Sequence, residues 1–253
     1  MSNAKLAVLI DADNAQPSVI KGLLAEVATH GVSSVKRAYG DWTSPNLKGW
    51  KEVLHLWAIQ PIQQFSYTSG KNSTDSSLII DAMDLLHAGK LDGFCLVSSD
   101  SDFTRLATRI RESGLLVYGF GEKKTPDAFV AACDKFVYTE ILRPSTQIIT
   151  EIPEMESRDP VDLGNMEPML RNAITMAARE DGLSSLSNVG NLLSKNSPSF
   201  DSRNYGCQRL SELMRRLPFV EVKEIQNDKS GVFHTFVKLI SFTPIVIAKK
   251  TKK

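Results

Sequence analysis

Leu6-Ala7-Val8-Leu9-Ile10-Asp11-Ala12-Asp13-Asn14 decides how the first half of this chain folds. Five consecutive apolar residues suit a strand buried on both faces, and such strands belong to parallel sheets covered by helices. The run leads directly into carboxylates, at the carboxyl end of a strand, where open α/β sheets bind ligands. Outward from it the same rhythm continues. Pro17 opens a helix with Val19, Leu23, Leu24 and Val27 on one stripe, Gly31 stops it, and Val35 to Tyr39 reads as the next strand. A helix around Trp50 to Trp57, a strand near Ile59 to Phe65, a helix from Asp75 to His87 and the strand Phe94-Cys95-Leu96-Val97 follow. Another helix from Phe103 to Glu112, a strand from Leu115 to Phe120, a short helix from Pro126 and a strand near Phe136 to Tyr138 complete the series. The expectation from Lys5 to about Arg143 is an α/β domain, a parallel sheet with helices on both faces.

Beyond Pro144 the periodicity fails, and Pro153, Pro160, Gly164 and several acidic residues read as a linker. Helical stretches near Met169 to Arg179, Leu186 to Lys195 and Tyr205 to Leu217 then precede Phe219 to Ile225, a polar turn at Asn227 to Gly231, and Val232 to Leu239. Three helices followed by a β-hairpin describe a small α+β winged helix. The expected organisation is a domain over 1–143, a linker over 144–164, a winged-helix domain over 165–242 and a basic tail over 243–253.

Composition narrows the partners. The chain has 253 residues, 42% hydrophobic and 23% charged, as ordinary globular proteins do, and a formal net charge of +1. Attraction to nucleic acid must therefore come from local patches. Lys249-Lys250-Thr251-Lys252-Lys253 is the densest basic run, and a solvated tail explains it. No apolar run approaches the roughly 18 residues of a membrane span, and the N-terminus lacks the pattern of a secretory leader. Cys95, Cys133 and Cys207 are odd in number and widely spaced, which suggests neither a disulfide framework nor a zinc site. A cytoplasmic protein is expected. His30, His55, His87 and His234 show no metal-ligand spacing, Gly119-Phe120-Gly121 lacks the rest of a dinucleotide fingerprint, and no Walker-type loop is present.

The carboxylates carry the chemistry. Asp11 and Asp13 end one strand, and Ser98-Ser99-Asp100-Ser101-Asp102-Phe103 ends another, so two strands deliver acids to one edge. Helix capping accounts for Asp13 or Asp102 taken singly. Asp75 is harder to assign to a cap alone, because it shares a helix face with apolar Leu78, Ile79, Ala82 and Leu86. A carboxylate at the head of a core-facing stripe must be capped, paired or given a cation. Asp81 lies off the centre of the stripe, placed to line the site or to bond backbone, and Asp84 points to solvent. Asp11, Asp75, Asp100 and Asp102 form a hard-oxygen set that suits Mg²⁺ or Mn²⁺. Asn14 is a neutral companion, Asp13 and Ser98 are candidate lining residues, and Lys71, in a Ser/Gly/Asn loop, is a candidate phosphate contact.

Leu9 to Asn14, Lys71 to Asp81 and Val97 to Phe103 resemble, in that order, three blocks of the NYN domain, a PIN-like nuclease family that includes LabA-like bacterial proteins. The resemblance covers about the first half of the chain. It implies a metal-dependent ribonuclease fold with Asp11, Asp75, Asp100 and Asp102 as its acidic residues, Asn14 as their companion, and pairing into a homodimer. Leu186 to Leu193, Pro198 to Gly206 and Leu210 to Leu213 resemble the OST-HTH, or LOTUS, domain of RNA-related proteins. In that unit Phe200, Leu210, Leu213, Met214 and Leu217 are expected to pack inward. Arg203, Arg209, Arg215 and Arg216 are candidate phosphate contacts, with Glu212 interrupting the patch.

The expected function is an endoribonuclease whose α/β domain cuts and whose winged helix binds single-stranded or structured RNA, or a protein partner. One alternative is an RNA-binding or scaffolding module without turnover. The other is a phosphatase of the haloacid-dehalogenase type, in which Asp11 is the nucleophile and Asp13 its acid-base partner. Asn14-Ala15 does not continue that motif.

Overall fold

The computed structural model describes residues 4–65, 73–143, 166–226 and 233–240, which fall into two compact units. Lys71, the linker, the polar turn at 227–231 and the basic tail lie outside them.

Unit one is built on six parallel strands in the order β3-β2-β1-β4-β5-β6. They are β1 (Lys5–Asp11), β2 (Val32–Gly40), β3 (Gln60–Gln63), β4 (Gly93–Val97), β5 (Leu116–Gly121) and β6 (Lys135–Tyr138). Between them run α1 (Ile20–His30), α2 (Lys48–Leu54), α3 (Ser73–His87), α4 (Thr104–Glu112) and α5 (Asp127–Ala132). The fold is the PIN-like α/β class.

Strand alternation makes two cores. Leu6, Val8 and Ile10 of β1 pack on one face with Ile20, Leu23 and Val27 of α1 and Trp50 of α2. Ala7 and Leu9 pack on the other with Leu78 and Ala82 of α3 and Leu106 and Ile110 of α4. At period two, Asp11 continues the series of Ala7 and Leu9 and so turns towards the face that α3 covers. Gly119 and Gly121 of β5 allow close packing: an added Cβ would lie 2.4 Å from Phe136 Cδ2 at the first and 2.6 Å from the Ser98 carbonyl oxygen at the second.

The strand order has a consequence for ligands. From β1 the chain proceeds outward through β2 and β3, then returns to β4 on the opposite side and continues through β5 and β6. The order reverses between β1 and β4. The crevice at the carboxyl ends of that strand pair is where such sheets bind ligands.

Unit two contains α6 (Met166–Ala177), α7 (Leu186–Asn196) and α8 (Leu210–Arg215). Its antiparallel sheet, in the order β7-β9-β8, comprises β7 (Ser184–Ser185), β8 (Val220–Gln226) and β9 (Phe233–Leu239). Leu170, Ile174, Val189, Leu193, Leu213, Met214, Leu217 and Val237 fill its core, with Leu210 half-buried, whereas Phe200, expected in this core, is half-buried and groups with unit one. Two features depart from the sequence reading. β7 was not expected, being too short to show a period. The helix expected over Tyr205 to Leu217 is interrupted: a 3₁₀ turn at Ser202–Tyr205 ends in Gly206 at φ 70°, and α8 starts only at Leu210. Asp201 fixes that turn, accepting from Arg203 N at 2.9 Å, and a left-handed glycine then closes it. Among the described residues no helix is long and apolar enough to cross a membrane.

Candidate functional site

Asp11, the last residue of β1, has no solvent-exposed surface. Its Oδ2 accepts from Asn14 Nδ2 and from Ser98 Oγ, both at 2.8 Å. The Asn14 backbone N donates to Oδ1 at 3.3 Å, so Oδ1 is the less committed oxygen. Burial pushes the Asp11 carboxyl above the usual range, and the donors from Asn14 and Ser98 pull against it. Ser98 follows β4 directly and joins the two strand ends. Its hydroxyl donates to Asp11 and accepts from Asp100 N at 3.1 Å.

Asp100 caps the 3₁₀ turn Ser101–Phe103 through its side chain, which accepts from Asp102 N at 2.9 Å. Asp100, not Asp102, is thus the cap of this turn, with Asp102 in its first turn, and the capping coexists with a second arrangement. Carboxylate oxygens of Asp75, Asp100 and Asp102 all lie within 4.8 Å of one another, from a buried, a half-buried and an exposed residue. Asp75 is only 8% exposed in the first turn of α3. Desolvation raises its carboxyl to about 6, helped by the negative charges of Asp11, Asp100, Asp102 and Asp13. Five carboxylates contributed by β1, the loop after it, α3 and the segment after β4 thus share one electrostatic field.

The remaining candidates separate. Asp13 is exposed and accepts from Thr74 Oγ1 at 2.9 Å, linking the loop after β1 to the start of α3. Thr74 and the bridging role of Ser98 carry no distinctive sequence signal, since both depend on contacts between elements far apart in the chain. Asp81 does not join the carboxylate group. Arg37 and Tyr39 of β2 bind one oxygen each, and the three residues form a separate polar cluster beside a groove lined by Gln60, Ile62 and Gln64. Desolvation and the Asp81 charge hold the Tyr39 hydroxyl well above its usual range. Asp84 is exposed. Three of the four candidate arginines are in ion pairs: Arg203 with Asp201 at 2.6 Å, Arg216 with Glu212 at 2.6 Å, and Arg215 with Glu224. Arg209 stands at the N-cap of α8.

A family model for the NYN domain matches residues 5–142, more than half of the chain. The chain belongs to the NYN domain family. The NYN domain is a PIN-like nuclease domain, and the carboxylate cluster lies within the matched residues. A second model, the OST-HTH/LOTUS domain, matches residues 165–232, so the NYN domain is followed by a unit of an RNA-binding class. No curated protein matches the chain. Among solved structures, a protein of unknown function from Vibrio parahaemolyticus is 21% identical, with a TM-score of 0.45 over 54% of this chain and 93% of its own. An uncharacterized protein from Nitrosomonas europaea is 27% identical, with a TM-score of 0.29 over 39% of this chain and 90% of its own. A segment of a Chromobacterium violaceum protein is 34% identical, with a TM-score of 0.25 over 32% of this chain and 92% of its own.

Proposed function

We propose that this NYN protein is a divalent-metal-dependent endoribonuclease and that its OST-HTH/LOTUS unit holds the RNA. The observation that carries the reading is the convergence of Asp75, Asp100 and Asp102, oxygens within 4.8 Å, beside fully buried Asp11 at the reversal of strand order. Burial, and then the repulsion among carboxylates crowded in this way, raises the Asp75 carboxyl to about 6. A hard divalent cation relieves that repulsion, and an all-oxygen donor set favours Mg²⁺ or Mn²⁺ over softer metals. Asp75, Asp100 and Asp102 would hold the ion.

Bound there, Mg²⁺ or Mn²⁺ supplies charge neutralisation at a phosphodiester oxygen and a lowered pKa for an attacking water. The protein supplies placement. Ser98 and Asn14 fix the Asp11 carboxylate, whose charge adds to the field of Asp75, Asp100 and Asp102 that draws the cation. Asp13 is tied to Thr74 and steadies the entry to α3.

The phosphatase alternative requires Asp11 as an accessible nucleophile. Full burial and two donors on Oδ2 do not favour that role. A binding module without turnover is separated from the nuclease by experiment: labelled RNA is incubated with Mn²⁺, Mg²⁺ or chelator, using wild type and Asp11→Asn. Cleavage that needs both a metal and Asp11 is the expected result. Binding without cleavage would assign the chain to the second class.

A further inference from the structure

The three-stranded sheet of unit two has an outward face whose composition differs from that of an idle surface. Across the antiparallel ladder Phe236 stands opposite Lys223 of β8 and Ser185 of β7, and His234 stands opposite Ile225. Residues directly opposite share a face, and successive residues alternate between faces. Val237, next after Phe236 and in register with Val222 and Ser184, is fully buried. Phe236, His234, Ile225 and Lys223 therefore lie on the side away from the core. Ile225 is 43% exposed, which leaves a sizeable apolar area facing solvent.

Charge on this face has one dominant sign. Arg179 lies over Phe236, its guanidinium carbon 5.3 Å from the ring centroid. Lys223 and Lys238 point to the same side by register. Among the described residues of the three strands, Glu221 is the carboxylate on that face, 3.4 Å from Lys223, whereas Glu224 lies on the other face in its pair with Arg215. A groove of about 360 Å³ runs between Arg179, Ser185, Ile225, Gln226, His234 and Phe236.

From this juxtaposition we infer that the outward face of the β7-β9-β8 sheet binds single-stranded RNA, with unpaired bases stacked on His234 and Phe236 and phosphates held by Arg179, Lys223 and Lys238. Flat rings interleaved with cations complement an unstacked strand, because every base offers a π-face and every linkage a negative charge. A duplex keeps its base faces covered and has no use for the rings. An acidic or apolar protein segment would satisfy only one half of the surface. The inference rests on the reading of the chain as an RNA-acting protein, but it places the contact on a surface separate from Arg203, Arg209, Arg215 and Arg216.

The test is fluorescence anisotropy of the full chain with labelled 12-mer oligo(A) RNA and a matched duplex, in chelator so that cleavage does not enter. Variants are His234→Ala, at an exposed position, Phe236→Leu, which keeps an apolar side chain in the sheet, and Lys195→Ala, at an exposed position in the last turn of α7, as the comparison. Stacking on one ring is worth about fivefold or more in affinity. His234→Ala and Phe236→Leu are expected to weaken single-strand binding at least that much, with Lys195→Ala changing it less than twofold and the duplex bound more weakly than the single strand. If Phe236→Leu lowers stability, His234→Ala alone decides. Unchanged binding in His234→Ala, equal affinity for duplex, or no RNA binding by folded wild type would overturn the inference, the last reassigning the face to a protein partner. Failure of the nuclease reading appears separately, as intact RNA in Mn²⁺ despite normal binding.

Discussion

Asp75 sits where its charge is most costly, nearly buried and facing four other carboxylates. Its folded-state value of about 6 lies above the ordinary 3.8, so between those values the folded chain keeps a proton that the unfolded chain has released. Stability from this group is present at low pH and is lost as pH rises through about 6. In chelator, the melting temperature is therefore expected to fall between about pH 4 and pH 6, and Asp75→Asn should flatten that slope when both are followed by thermal melts. Asp100→Asn tests the same field from a second position. Asparagine caps a helical turn as well as aspartate does, so the turn at Ser101–Phe103 survives while a repelling charge disappears. The metal-free variant should melt no lower than wild type, and it should lose its response to Mn²⁺. For wild type, Mn²⁺ at 100 times its dissociation constant adds about 2.7 kcal/mol. Asp81→Asn, whose carboxylate is occupied by Arg37 and Tyr39, should leave that response intact.

Among the elements, β4 and β5 show how packing reaches the site. Gly121→Ala would place a Cβ 2.6 Å from the carbonyl oxygen of Ser98, the residue that joins Asp11 to Asp100. Backbone must move, at a cost of about 1–3 kcal/mol, and the shift falls on the residue that orients Asp11. Denaturant unfolding should show the loss, and cleavage should fall by more than the unfolded fraction explains. Elements of this kind were partly legible beforehand. The β1 run, the acids after it and the stripe of α3 that contains Asp75 follow from periodicities of two and 3.6, which are local properties. The Ser98 bridge, the Thr74–Asp13 bond and the capture of Asp81 by Arg37 and Tyr39 are not local, because each needs the order in which strands are laid side by side. Periodicity also failed at β7, two residues long, and at Gly206, where a left-handed turn divides a stretch whose apolar spacing looks like continuous helix.

At the scale of the whole molecule, a unit with a carboxylate crevice is joined to one with a basic, aromatic sheet face, and the proposed function divides catalysis and retention of RNA between them. Each unit has a core of its own. A fragment ending at residue 143 is expected to keep the Mn²⁺-induced rise in melting temperature and to bind single-stranded RNA more weakly than the full chain, measured by thermal melts and anisotropy on the same preparations. Removal of metal should act in the opposite sense, with chelator abolishing cleavage and leaving RNA binding through the sheet face in place.

The central claim is that the aspartates of the crevice and a divalent metal cut RNA together. Its most direct measurement is cleavage of end-labelled single-stranded RNA by wild type and Asp100→Asn, with Mn²⁺, with Mg²⁺ and with chelator. Internal cuts by wild type in metal, and intact RNA in chelator and with Asp100→Asn, are the predicted result. Cleavage that persists in chelator or with Asp100→Asn, or intact RNA with folded wild type in both metals, would contradict it.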